Sequence, residues 1–173
     1  MVFTLIGMPG CGKSCMGKAV SSKLKIRNID SDSMIEKTEG KKLFQVLEDR
    51  GLDGFKALEE EVLSSFSEDN CILSTGGSAV YSEKAMLHLK SLGKVIYLKV
   101  SLDVLKKRLG DYSKRGIALR PGQTLDDLYE ERTKLYEKYA DITVNCSGNA
   151  FPRYHSELIS HIQKYLAEPS VKP

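Results

Sequence analysis

The stretch GMPGCGKS, Gly7–Ser14, lies between the apolar run Val2–Ile6 and a segment whose apolar residues have helical spacing. Its pattern is G-x-x-x-x-G-K-S, in which backbone N–H groups turn inward around phosphate oxygens and glycines allow the close approach. In this pattern Lys13 reaches the terminal phosphates, and the hydroxyl of Ser14 is a ligand for Mg²⁺. A glycine-rich turn before an ordinary helix is the alternative interpretation. The strand before the loop and the helix after it favour a nucleoside triphosphate site.

Strand and helix patterns alternate along the chain, which predicts βαβ units and an α/β fold with a parallel sheet covered on both faces. Short, continuous apolar runs indicate strands that are buried on both faces. The predicted strands are Val2–Ile6, Arg27–Asp30, Cys71–Ser74, Lys94–Val100 and Ile142–Asn145. The predicted helices are Lys13–Leu24, Ser33–Glu39, Lys42–Glu48, Gly54–Phe66, Ser82–Ser91, Leu102–Leu109, Thr124–Tyr139 and Pro152–Leu166.

The length of 173 residues predicts a single domain, which we place at residues 1–168. One segment, residues 110–123, mixes three glycines, a proline and four charges, and we expect it to form an exposed lid. Residues 169–173 are expected to be a frayed tail.

The composition argues against several classes of protein. The net charge is only +3 and the basic residues are spread along the chain, so no nucleic-acid partner is indicated. No apolar run reaches the length of a membrane span, and no charged leader precedes the first strand. The four cysteines lack the spacing of a disulfide framework or a zinc site. We therefore expect a cytoplasmic protein, and we expect it to act as a monomer.

Two carboxylates follow the second predicted strand, in the stretch NIDSDS. If the extended backbone continues, Asp30 and Asp32 lie on the same side and face the phosphate loop at the carboxyl edge of the sheet. Asp30 is then placed to hold Mg²⁺, and Asp32 to orient or deprotonate an acceptor hydroxyl. The alternative makes Asp32 an N-cap of the next helix.

Two cations have opposite patterns in their helices. Arg132 falls in the middle of the apolar stripe of its helix, so it must find an anion or keep its head group in water. A ligand carboxylate is one solution, and an internal salt bridge or an exposed head group is the other. Lys56 lies off the apolar stripe, and its periodicity alone favours a surface pair with Glu60.

The stretch STGGSA, Ser74–Ala79, follows a buried strand and predicts either backbone amides close to a ligand or a plain turn. No aspartate ends this strand and no N-K-x-D motif occurs, which argues against motor ATPases and GTPase switches. In the lid, Arg115 and Arg120 are candidates to neutralise charge during phosphoryl transfer, or solvated arginines without a role. Cys11, in the loop beside Lys13, is either a thiol prone to oxidation and alkylation or an inert one.

Together, the phosphate loop and the D-S-D, F-K-x-L-E, T-G-G and R-x-x-L-Y motifs resemble the shikimate kinase family over residues 1–165. The resemblance implies a three-layer fold of the P-loop, nucleoside-monophosphate-kinase type with a five-stranded parallel sheet. It also implies ATP and Mg²⁺ as cofactors and transfer of the γ-phosphoryl group to the 3-hydroxyl of shikimate, in aromatic amino-acid biosynthesis.

The same resemblance assigns residues to the two substrates. The ATP side comprises Gly10, Cys11, Gly12, Lys13, Ser14 and Cys15, with Arg108 near the adenine beside residues 149–152, and Arg115, preferred over Arg120, as the lid cation. Ser14 and Asp30 are assigned to the metal, and Lys13, Asp32 and Arg115 to catalysis. The acceptor side comprises Asp32, Lys56, Gly76, Gly77, Ser78 and Arg132.

Three departures from the family pattern concern the acceptor side and the lid. Lys56 replaces an arginine and loses its two-pronged geometry, Ser78 replaces a glycine, and the lid reads R-G-I instead of R-P-L. These departures leave open a related kinase for another polyol or hydroxy acid. A nucleotide-binding regulatory protein without transfer activity is a second alternative.

Overall fold

A parallel five-stranded sheet forms the centre of the structure, a computed structural model that describes residues 1–110, 117, 119–148 and 151–167. The strands are β1 (Val2–Ile6), β2 (Arg27–Asp30), β3 (Cys71–Ser74), β4 (Gly93–Lys99) and β5 (Ile142–Asn145). They pair in the order β2-β3-β1-β4-β5. The predicted α/β fold is confirmed.

The helices cover the sheet and connect its strands. They are α1 (Lys13–Leu24), α2 (Ser31–Glu39), α3 (Leu43–Ser64), α4 (Glu83–Leu92), α5 (Leu102–Leu109), α6 (Leu125–Tyr139) and α7 (Phe151–Ala167), with a short 3₁₀ helix at Ala79–Tyr81. Helix α1 packs on β2, β3 and α7, whereas α4 packs on β4 and on α3. No helix among these described residues has the length and apolar character needed to cross a membrane.

Two helices differ from their predicted bounds for physical reasons. Helix α2 begins two residues early because the Asp30 carboxylate caps it, accepting from the backbone N–H groups of Asp32 (3.1 Å) and Ser33 (3.3 Å). The extended backbone therefore ends at Asp30, as the predicted strand does, and does not continue to Asp32. The two helices predicted at residues 42–48 and 54–66 correspond to the two parts of α3, which are separated by a kink with non-helical backbone at Gly51 (φ 67°, ψ 178°).

The sheet order brings the loops that follow β1 and β3 together. β1 lies between β3 and β4, and all five of its residues are buried. Leu5 pairs with Ser74, and the carbonyl of Leu5 accepts from the backbone N–H of Thr75 at 3.2 Å. The glycine-rich loop after β1 and the residues after β3 therefore open into the same crevice.

Candidate active site

A cavity of about 410 Å³ lies at this carboxyl edge of the sheet. The predicted site residues that line it are Gly10, residues 12–15, Asp32, residues 76–78 and Arg132. Both glycine-rich stretches, the first turn of α2 and the middle of α6 thus meet around one space, as the sequence predicts for a shared pocket. Cys11, Asp30, Lys56, Arg108 and Arg120 do not line it.

The loop after β1 has the backbone shape of a phosphate cradle. Gly10 (φ 78°) and Gly12 (φ 103°) adopt left-handed conformations that glycine enters without steric cost. The Lys13 ammonium donates to the carbonyls of Gly7 (2.7 Å) and Met8 (3.1 Å), and the residue is only 9% exposed. A buried positive charge is therefore already held at the cavity wall, where terminal phosphates can take the place of the carbonyls.

Oxygen donors suitable for Mg²⁺ lie next to this loop. Ser14 Oγ donates to Oδ2 of Asp30 at 2.7 Å, while the other oxygen of Asp30 caps α2. The described ranges contain no group of three or more His, Cys, Asp or Glu side chains that could hold a metal ion without a ligand's help. One hydroxyl and one carboxylate fit Mg²⁺, which binds through few protein oxygens, nucleotide phosphates and waters.

Asp32 stands in the first turn of α2 and faces the cavity. Burial, together with the nearby charge of Asp30, raises its pKa to about 6, and Lys13 opposes the shift. Its buried Oδ1 has no hydrogen-bond partner within the described structure. The N-cap interpretation of Asp32 is wrong because Asp30 occupies that position, so the Asp32 carboxylate is available to accept a proton.

A second carboxyl, Glu59 of α3, also reaches this wall. It is 2% exposed, and its Oε2 accepts from the hydroxyl of Ser78 at 2.6 Å. A Cβ on Gly76 would lie 2.3 Å from Oε1 of Glu59 and 2.9 Å from Oδ1 of Asp32, so both carboxyls pack against Gly76. Glu59 is the last residue of the F-K-x-L-E motif, one turn after Phe55 on the buried face of its helix, but the motif alone does not indicate its role.

The burial of Glu59 predicts a distinctive dependence of stability on pH. Burial and the neighbouring Asp32 raise its pKa from 4.5 to about 7, so folding favours the protonated form. This contribution is complete below pH 4.5 and is lost as the pH rises through about 7, because the unfolded chain ionises first. The side chain of Gln carries no charge at any pH. We therefore expect the free energy of unfolding of Glu59→Gln to exceed that of the parent by up to about 3 kcal/mol at about pH 8.

The measurement is thermal unfolding of both proteins between about pH 4 and about pH 8. Glu60→Gln is the matched control, since Glu60 is the next residue of α3 and accepts from a different serine, Ser82, at 2.5 Å. Parallel curves for the parent and Glu59→Gln would contradict this assignment.

The two candidate carboxylate-binding cations approach one tyrosine. Arg132 is 2% exposed, which rules out a head group kept in water, and its Nε donates to the hydroxyl of Tyr81 at 3.3 Å. Lys56 Nζ lies 4.3 Å from the centre of the Tyr81 ring, and burial and the charge of Arg120 lower its pKa. The surface pair with Glu60 is not observed, since Glu60 binds Ser82.

The remaining predicted residues lie around the cavity rather than in its wall. Arg108 donates to the carbonyls of Cys11 (3.3 Å) and Cys146 (3.0 Å), bridging the loop and the end of β5. Arg120 is exposed and lies 3.5 Å from Glu131.

Cys11 is 3% exposed, which argues against it as the reactive thiol, whereas the exposed Cys15 lines the cavity. Arg115 and residues 149–150 lie outside the described residues.

Comparison with known proteins gives one consistent result. The family model for shikimate kinase matches residues 9–166. A shikimate kinase of Clostridium botulinum (strain 657) is 36% identical over 168 residues, covering 93% of this chain and 94% of the relative. The shikimate kinase of Aquifex aeolicus is 38% identical over 141 residues, covering 81% and 83%.

Solved structures agree with the sequence comparison. A shikimate kinase from Acinetobacter baumannii in complex with shikimate superimposes with a TM-score of 0.80 at 27% identity, covering 99% of this chain and 95% of that one. The crystal structure of the Aquifex aeolicus shikimate kinase has a TM-score of 0.80 at 31% identity, covering 98% and 100%. Because the family model matches residues 9–166 and relatives that are 36% and 38% identical cover most of the chain, the chain belongs to the shikimate kinase family.

Proposed function

We propose that this cavity transfers the γ-phosphoryl group of ATP to the 3-hydroxyl of shikimate, with the phosphate loop holding ATP and Arg132 holding the acceptor carboxylate. The chain is an ATP-dependent shikimate kinase by family, and the proposal concerns how its own residues divide the reaction. One observation carries it. Lys13, Asp32 and Arg132 line the same cavity, so a phosphate cradle, a base and a carboxylate binder share one space.

On the ATP side, residues 10–15 cradle the phosphates through backbone N–H groups. Lys13 exchanges its carbonyl partners for phosphate oxygens and offsets the charge that spreads over them in the transition state. Ser14 and Asp30 hold Mg²⁺, which when bound neutralises further phosphate charge. Arg108 supports this side by fixing the loop backbone beside the adenine region.

On the acceptor side, Asp32 accepts the proton of the attacking hydroxyl and aims its oxygen at the phosphorus. The backbone of Gly76 and Gly77 borders the ring of the acceptor. Glu59 packs against Gly76 and Arg132 against Gly77, so a side chain at either position would not fit. Ser78 fixes Glu59. Arg132 binds the carboxylate with its planar fork, and Lys56, which shares the Tyr81 ring with Arg132 but does not line the cavity, adds a second positive charge nearby.

Lid closure completes the site by excluding water, with a lid arginine neutralising phosphate charge. We propose Arg115 as this lid arginine because of its spacing from Arg132 in the sequence. Arg120 is less suited to the role because it lies beside Glu131. We further propose that the enzyme works as a cytoplasmic monomer, in keeping with its four unpaired cysteines.

The test is ADP release with Mg-ATP and a panel of acceptors that includes shikimate, other hydroxy acids and uncharged polyols. We expect release that depends on shikimate, stops when EDTA removes Mg²⁺ and returns when Mg²⁺ is restored. Turnover on another polyol with none on shikimate would contradict the proposed acceptor. Tight ATP binding without release on any acceptor would contradict transfer altogether.

A further inference from the structure

Tyr81 lies between the two cations of the acceptor site. It ends the 3₁₀ helix that follows Ser78, and its ring centre lies 4.3 Å from Lys56 Nζ and 5.3 Å from Arg132 Cζ. Its hydroxyl also accepts from Nε of Arg132 at 3.3 Å. One side chain therefore contacts both groups that the proposed function assigns to the carboxylate.

Such an arrangement must offset repulsion between like charges. The pKa of Lys56 is lowered by burial, by Arg120 and by Arg132, while Asp53 and Glu131 offset part of this effect. The negative face of an aromatic ring attracts cations, and this attraction grows where water is excluded. The ring, together with the nearby carboxylates of Asp53 and Glu131, thus allows the two positive charges to lie near each other before the acceptor carboxylate binds.

We propose that Tyr81 is a positioning residue for the acceptor carboxylate: its ring and hydroxyl fix the Arg132 guanidinium, which lines the cavity, and its ring fixes the Lys56 ammonium close to it. The proposal rests on the function proposed above. A lysine ammonium is a point charge on a flexible stem, without the fixed fork of an arginine. A rigid neighbour that holds it compensates for the lost geometry, because less side-chain freedom remains to be lost on binding.

The experiment compares two variants of Tyr81 with two ligands, shikimate and its methyl ester, which lacks the charged carboxylate. We expect Tyr81→Leu to raise KM and Kd for shikimate about tenfold, with kcat and KM for ATP changed less than about threefold. Tyr81→Phe keeps the ring and loses the hydroxyl, so a smaller increase is expected. Neither variant should weaken binding of the ester.

Tyr165→Leu is the matched control, since Lys94 Nζ lies 5.0 Å from that ring and neither residue lines the cavity. We expect it to leave both KM values unchanged. The proposal is overturned if Tyr81→Leu leaves shikimate binding unchanged, or weakens shikimate and ester equally, which is the signature of a merely structural role. A different result would contradict the proposed function itself. If the acceptor carboxylate does not bind to Arg132, Arg132→Lys also leaves the Kd for shikimate unchanged.

Discussion

Replacing Asp32 with Asn is expected to lower kcat for shikimate phosphorylation by about 10²- to 10⁴-fold, the usual contribution of a positioned general base. Asn has nearly the same shape but cannot take the proton of the attacking hydroxyl. KM for ATP should change less than kcat, since Asp32 acts on the acceptor hydroxyl and is coupled to the phosphate loop only through the charge of Lys13. Steady-state kinetics with each substrate varied in turn measures both effects.

Glu36→Gln provides the control for Asp32→Asn. Glu36 lies on the same helix and its charge contributes to the raised pKa of Asp32, but it does not line the cavity, and its carboxylate accepts from the backbone of Leu43 and from Lys42. We expect its kcat to stay within about twofold of the parent. If Asp32→Asn retains kcat within tenfold of the parent, Asp32 is not the base, and positioning by the loop and the cations carries the reaction alone.

The second large effect is expected at Arg132. Arg132→Met should raise KM for shikimate about 30-fold or more, because truncating one partner of a buried charge pair costs about 2–5 kcal/mol. Arg132→Lys keeps the charge and loses the planar fork, so we expect an intermediate increase. KM for ATP should change much less than KM for shikimate in either variant, since Arg132 is assigned to the acceptor carboxylate and not to the phosphates.

Because Arg132 is almost fully buried, its variants require a check on folding. Thermal unfolding monitored by circular dichroism distinguishes a lost contact from a lost structure, and the lysine variant retains a cation of similar length. Lys134→Met, an exposed cation on the same helix, is the control and should leave KM for shikimate unchanged. An unchanged KM in Arg132→Met would remove this residue from the acceptor site.

The fold was predictable where local patterns decide it. The bounds of β1, β2, β3, β5, α1 and α5 match those predicted from apolar runs and helical spacing. The start of α2 was missed because both Asp30 and Asp32 suit an N-cap, and residue type alone does not select between them. The break in α3 was predictable because the glycine at position 51 interrupts the helical pattern, and its backbone is indeed non-helical.

The site was predictable where a motif specifies it and not where distant residues meet. The phosphate loop is contiguous, so its spacing alone predicts its shape. The carboxylate of Glu59 accepts a hydrogen bond from Ser78, 19 positions away in the sequence, and the hydroxyl of Tyr81 accepts one from Arg132, 51 positions away. Periodicity carries no information on such contacts. Lys56 shows the same limit, because its partner is a ring on a separate element rather than a neighbour on its own helix.

The most direct measurement of the central claim is a crystal structure of the protein with ADP, Mg²⁺ and shikimate bound together. We predict phosphates in the loop at residues 10–15, the shikimate carboxylate on Arg132, and the 3-hydroxyl within about 3 Å of the Asp32 carboxylate. Shikimate bound outside this cavity, or held in it with its 3-hydroxyl beyond reach of Asp32, would contradict the account.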